Sequence, residues 1–172
     1  SYGGFNSISF KKSYFKVNKL NISKKNLNRL SKNLFLIYTG INKFSNNIEK
    51  DKLKNIDKNI KYFSKIHSLA RTFKYQITNS NNFDFIGDAL NEYWSLKKKL
   101  SNKVSNRKID EIYKECLNSG ATGGKIIGSG GGGFLLMYCK EKHLSSLKKK
   151  IYKLPIINFN FTEDGSKIIF KS

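Results

Sequence analysis

The chain has 172 residues, 38% of them hydrophobic and 13% aromatic, enough for one domain with a proper core, while no apolar run approaches the about 18 residues of a membrane span. Its 33 Lys and Arg against 12 Asp and Glu give a net charge of +21. These cations are scattered beside Asn and Ser with little Arg, so they argue for solubility and nonspecific attraction rather than specific nucleic-acid binding. Two cysteines, Cys116 and Cys139, in unrelated segments are too few for a disulfide scaffold or a metal knuckle. With no signal-peptide layout, a soluble cytoplasmic protein is expected.

Tyr2 to Leu20 read as extended structure, two short strands either side of the Lys11-Lys12-Ser13 turn. A two-stranded ribbon is marginal alone in water, so this segment is expected to complete a sheet supplied by something outside the sequence. Asn21 to Asn33 is polar, with a helical turn around Leu27 and Leu30. The apolar run Leu34-Phe35-Leu36-Ile37-Tyr38 predicts a central strand buried on both faces, ended by Thr39-Gly40. A hydroxyl followed by glycine at a strand end is a frequent ligand contact and equally an ordinary strand-terminating turn.

After Lys50, the residues Leu53, Ile56, Ile60, Phe63, Ile66 or His67, Ala70, Phe73 and Ile77 recur at the three-and-four spacing of one long amphipathic helix, straight or bent. His67 on that helix has no Cys or carboxylate at ligand spacing. A second helix is predicted from Phe83 to Ser101, with Trp94 inward and Lys97-Lys98-Lys99 at the C-terminal end, where the dipole favours cations. A third starts at Ser105 or Asn106 and stops at Gly120. Strands are predicted at Lys125 to Gly128 and Phe134 to Cys139, a helix at His143 to Lys153 stopped by Pro155, and strands through Ile157, Phe159 and Phe161 and at Lys167 to Phe170. This order predicts an α+β fold, a ferredoxin-like antiparallel sheet with helices on one face.

Most of the 13 glycines lie in Gly120-Ala121-Thr122-Gly123-Gly124-Lys125-Ile126-Ile127-Gly128-Ser129-Gly130-Gly131-Gly132-Gly133. Glycines accept positive φ and allow close backbone approach, and successive amides in such a loop can form an anion-binding concavity. The plainer alternative is a hairpin connection, although two to five residues usually suffice for one. It is neither a Walker A loop nor a Rossmann fingerprint: no Lys-Ser/Thr pair follows the glycines, and they lead into a strand. No Ser/His/Asp or Cys/His set, carboxylate pair or metal cluster is recognisable, which leaves phosphate handling.

The run Gly123-Gly124-Lys125-Ile126-Ile127-Gly128-Ser129-Gly130-Gly131-Gly132-Gly133-Phe134 resembles the third, C-terminal motif of the GHMP small-molecule kinases. Together with Tyr2-Gly3-Gly4-Phe5-Asn6, Tyr38-Thr39-Gly40-Ile41, Lys103-Val104-Ser105-Asn106 with Ile109-Asp110, and Glu163-Asp164-Gly165-Ser166, it resembles the D-glycero-D-manno-heptose 7-phosphate kinases within that superfamily. The resemblance implies a C-terminal kinase domain over residues 26–172, with residues 1–25 the end of an N-terminal lobe. The motif that cradles ATP at a helix N-terminus and the catalytic aspartate, expected upstream of Ser1, are not in the sequence. The intact enzyme would transfer the ATP γ-phosphate to the anomeric hydroxyl of the heptose 7-phosphate, for nucleotide-activated heptose, with ATP and Mg2+ held mainly by the other lobe. Gly128, Ser129, Gly130, Gly131 and Gly132 would bind phosphate, Thr39 and Gly40 would lie near the sugar, and Lys125 would be a phosphate-facing cation or a solvated strand residue. The fragment alone is expected to be inactive, a noncatalytic ligand-binding domain at most. The rival reading, a basic nucleic-acid module on the same sheet type, lacks its aromatic signature.

Overall fold

The computed structural model describes residues 2–42 and 45–170. Strand β1 (Asn6–Phe10) pairs antiparallel with β2 (Phe15–Lys19), Asn6 opposite Lys19 and Phe10 opposite Phe15. The base of this ribbon is anchored, with Phe5, Leu20 and Ile22 packed on a buried cluster, whereas Phe10, Tyr14 and Phe15 at its tip are exposed.

Two of the quoted stretches meet at that base. The Gly4 amide donates to the Thr162 carbonyl (2.9 Å), and Lys19 pairs with Glu163. A side chain on Gly3 would lie 1.9 Å from the Glu163 carbonyl oxygen, so glycine there permits main chain to touch main chain.

Helix α1 (Lys24–Asn33) is a full ten-residue helix where the sequence predicts a turn. The Ser23 hydroxyl caps it by accepting from the Asn26 amide at 3.2 Å, and Leu30 supplies its buried contact. It leads directly into β3 (Leu34–Tyr38), the centre of a second, four-stranded sheet completed by β4 (Gly123–Ile126), β5 (Phe134–Tyr138) and β6 (Ile156–Ile157). The strands lie in the order β4-β5-β3-β6, all antiparallel, which is the ferredoxin-like arrangement.

The long helix, straight or bent in expectation, is divided into α2 (Ser45–Lys54) and α3 (Ile56–Asn79) by a break at Asn55, whose amide side chain donates back to the Asp51 carbonyl. Helix α3 is packed through Phe73 and Ile77 near its C-terminal end and through the buried Asn59, while its apolar residues Ile56, Ile60 and Phe63, like Leu53 of α2, are exposed. Next come α4 (Phe85–Lys98), α5 (Arg107–Asn118) and α6 (Glu141–Lys150). Asn106 caps α5 through its side-chain oxygen, and Gly120, at φ +116°, follows its C-cap.

Alternation along the strands divides the core in two. Phe35, Ile37, Leu135, Met137 and Ile126 face a cluster built with Ile109, Ile112 and Cys116 of α5, Leu147 of α6 and Trp94 of α4. Leu34 and Tyr138 point the other way, toward Leu30 of α1, Ile77 of α3 and Ile86 of α4. The expected helical layer is therefore joined by a partial cover on the second face. Helix α4 lies against β4 closely enough that a methyl on Gly123 would sit 1.9 Å from the Gly87 carbonyl oxygen.

Two strand expectations are corrected. Strand β4 begins and ends about two residues earlier than Lys125 to Gly128, because Gly123 and Gly124 pair with Tyr138 and Met137. Beyond Ile157 no strand continues among the described residues: Phe159 and Phe161 pack on the second cluster, Phe161 5.7 Å from Phe5, and the apolar run Ile168-Ile169-Phe170 is exposed without a sheet neighbour. Alternation signals a strand only where an edge is there to receive it.

Candidate functional site

The glycine loop between β4 and β5 is walled by three segments. At the end of β3, the buried Thr39 donates both its amide (2.9 Å) and its hydroxyl (2.8 Å) to the Gly133 carbonyl, and the Ile41 carbonyl accepts from the Gly133 amide at 3.0 Å. The turn between α4 and α5 presents the Val104 carbonyl to the Gly131 amide at 2.8 Å. That turn is itself fixed: Asn59 of α3 donates to the Leu100 carbonyl at 2.8 Å, and the Ser101 hydroxyl to Asp51 of α2. The third wall is α2, where Ile48 is buried against the loop.

This packing explains the glycines individually. A Cβ on Gly130 would lie 2.8 Å from the Val104 carbonyl oxygen, one on Gly131 2.7 Å from Ile48 Cδ1, and one on Gly132 2.7 Å from the Ile41 carbonyl oxygen. Gly128, Gly130 and Gly131 have φ of +80°, +119° and +78°, whereas Ser129 between them does not take positive φ. Alternation of hand along a short loop is the geometry in which successive amides converge on an anion.

Cations gather behind the loop. Lys97 of α4, 4% exposed, donates to the Gly128 carbonyl, and Lys52 of α2, 8% exposed, donates to the Ser129 carbonyl (3.0 Å) and to Glu49 (2.9 Å). Lys125 on β4 is half-buried with its Nζ 5.0 Å from the centre of the Tyr93 ring; Lys97 Nζ is 5.8 Å from the same ring. Burial pulls the Lys125 ammonium below the usual lysine range, and burial followed by the charge of Glu49 pushes the Tyr93 phenol up. Lys125 and Tyr93 also line a cleft of about 430 Å³ between the ribbon and helices α3 and α4.

Of the residues singled out in the sequence, the structure brings Thr39 together with Gly133 and sets Gly131 and Gly132 against Val104 and Ile41. Gly40 is exposed at φ +68° beside Lys108. Lys125 is half-buried and faces the cleft and Tyr93. Among the described residues the Ser129 hydroxyl oxygen is buried without a hydrogen-bond partner, an uncommon state that calls for an acceptor or donor from elsewhere. Amides, ammonium groups and a serine hydroxyl suit phosphate oxygens; no three or more His, Cys, Asp and Glu converge as a metal site among the described residues. Nor is any helix there long and apolar enough to cross a membrane.

Sequence reasoning missed Lys52 and Lys97. Their signal lay in spacing: Lys97 continues the inward stripe Ile86, Leu90, Tyr93 and Trp94, and Lys52 follows the buried Ile48 by one helical turn. A lysine on the apolar side of a helix must find a polar acceptor inside the protein.

Residues 73–154 match the family model described as "GHMP kinases C terminal". The chain is 28% identical, over 97% of its length, to D-glycero-alpha-D-manno-heptose 7-phosphate kinase of Campylobacter jejuni, and spans 50% of that enzyme. A crystal structure of a putative sugar kinase from Campylobacter jejuni superposes with TM-score 0.67 at 27% identity, covering 95% of this chain and 47% of the other. Mevalonate kinase of L. major in complex with R-mevalonate shares the fold, with TM-score 0.72 at 18% identity, covering 91% of this chain and 50% of that one.

Proposed function

We propose that this chain is the C-terminal part of an ATP-dependent sugar kinase, acting on the anomeric hydroxyl of D-glycero-D-manno-heptose 7-phosphate, a reading supported by the match of residues 73–154 to the GHMP kinase C-terminal model. The observation that carries this reading is identity extending over 97% of the chain to an enzyme named for that substrate. The glycine loop supports it, since phosphoryl transfer depends on positioning and on stabilising charge at phosphate oxygens, which preset amides supply without reorganisation.

In this reading residues 1–25 end an N-terminal lobe whose remainder brings the catalytic aspartate, most of the ATP contacts and the Mg2+ ligands. The exposed ribbon tip and the bare stripe along α2 and the start of α3 favour a missing wall, since together they leave Phe10, Phe15, Leu53, Ile56 and Ile60 uncovered. Amides of the loop, with the Ser129 hydroxyl, face the transferred phosphate. Thr39 and Gly40 border the sugar, with the Thr39 hydroxyl holding the loop in place, and Lys125 meets the sugar's 7-phosphate in the cleft.

The test is ATP turnover with this sugar phosphate, measured on the 172-residue chain alone and on the chain produced joined to the polypeptide encoded upstream of Ser1. Turnover is expected only in the joined protein. Robust activity of the chain alone, or a joined protein indifferent to the sugar phosphate, would overturn the proposal.

A further inference from the structure

We infer that Lys97 and Lys52 are positioning residues that set the direction of the loop's amides: by holding the Gly128 and Ser129 carbonyls, they turn the Ser129 and Gly130 N–H groups toward the anion. The inference rests on the phosphate-loop reading above and goes beyond it, because it selects two of the five residues and assigns the cause of their orientation to side chains on two separate helices.

The argument begins with the peptide unit. A trans peptide is planar, and its C=O and the following N–H point in opposite directions. No cis peptide occurs among the described residues. With the Gly128 carbonyl on the Lys97 ammonium, the Ser129 amide must point away from Lys97; with the Ser129 carbonyl 3.0 Å from Lys52 Nζ, the Gly130 amide must point away from Lys52. The next peptide reverses, because the Gly131 amide is directed at the Val104 carbonyl. The outward run is therefore two amides long, flanked by the positive φ of Gly128 and Gly130.

Burial gives the arrangement its strength. Both lysines are more than nine-tenths buried, and their ammonium groups lie directly behind the peptides whose amides face out. An anion in front of Ser129 then meets two amide dipoles and, at second remove, the ammonium of Lys97 and that of Lys52, which Glu49 pairs.

The experiment is a ¹H–¹⁵N titration of the 172-residue chain with sodium pyrophosphate at constant ionic strength. In the wild type the Ser129 and Gly130 amides should shift downfield and saturate, while the Gly131 amide stays put. Lys97→Met and Lys52→Met should each raise the midpoint about tenfold or more, as expected for losing a poorly screened charge. Lys114→Met, which removes the same charge from an exposed position on α5, should leave it within about twofold. Saturable wild-type shifts with unchanged midpoints in both lysine variants would overturn the inference and leave the phosphate-loop reading intact. Absence of any saturable shift in the wild-type loop would overturn both. Should the variants not fold, the wild-type pattern decides: shifts at Gly131 in place of Ser129 and Gly130 would refute the proposed orientation.

Discussion

Gly130→Ala and Gly133→Ala make a matched pair, because both residues take positive φ, +119° and +82°, but only one is enclosed. At Gly133 an added methyl meets nothing within 4 Å. Its cost is the left-handed penalty of about 1–2 kcal/mol, offset by roughly 0.4–1 kcal/mol from the stiffened unfolded chain. The net, about 1 kcal/mol, lowers Tm by about 2–4 °C in a chain of this size. At Gly130 the methyl would lie 2.8 Å from the Val104 carbonyl oxygen and 3.0 Å from Val104 Cα. Relief must come from main chain, and moving Val104 disturbs the 2.8 Å bond it accepts from Gly131. Backbone strain of about 1–3 kcal/mol and a hydrogen bond worth about 0.5–1.5 kcal/mol together give roughly 3 kcal/mol. The expected drop is on the order of 10 °C. Thermal unfolding followed by circular dichroism measures both. Equal shifts within about 2 °C would refute the reasoning, because a loop free to move aside would absorb the methyl at either place.

Thr39→Val removes one of two donors to the Gly133 carbonyl and should cost about 1 kcal/mol, while Thr39→Ser retains the bond; indistinguishable melting temperatures for the two would contradict a structural role for the hydroxyl. Burial pushes the Cys116 thiol up to about 12 and raises that of Cys139, so iodoacetamide at pH 8 should label neither in the native protein and both in urea. Rapid native labelling would show that the core opens. The Cys116 shift also fixes a sign: the folded state keeps the proton longer than the unfolded chain, so this contribution is complete below about pH 9 and is lost as pH rises toward about 12. Cys116→Ala should therefore flatten the alkaline fall in Tm relative to wild type, and parallel curves would contradict the assignment.

The sheet was legible because its signals are local. Leu34 to Tyr38 is too short and too apolar to be anything but an inner strand, and Phe134 to Tyr138 pairs with it residue for residue. Asn106 and Gly120 marked the ends of α5 correctly, since caps are set by the chemistry of single residues. What depended on distant partners was less visible. The periodicity of Leu53, Ile56, Ile60 and Phe63 describes a helical face but not what covers it, and the structure leaves that face exposed. Ile168-Ile169-Phe170 has strand character and no edge to join. At the site, the glycine cluster marks the loop, yet its Gly131 amide and its Gly128 and Ser129 carbonyls are bonded to Val104, Lys97 and Lys52, which lie 27 to 77 residues away in the chain. Their convergence is a tertiary fact, of which the sequence carries only a trace in two lysines placed on apolar helix faces.

The most direct measurement of the central claim is formation of ADP from ATP with D-glycero-D-manno-heptose 7-phosphate present, followed in the chain extended through its upstream coding region and in the 172 residues by themselves. A sugar-dependent rate in the extended protein, absent from the shorter one, is the predicted result. Turnover by the 172 residues unaided would contradict a cleft with one wall missing, and an extended protein without sugar-phosphate-dependent turnover would contradict the proposed kinase.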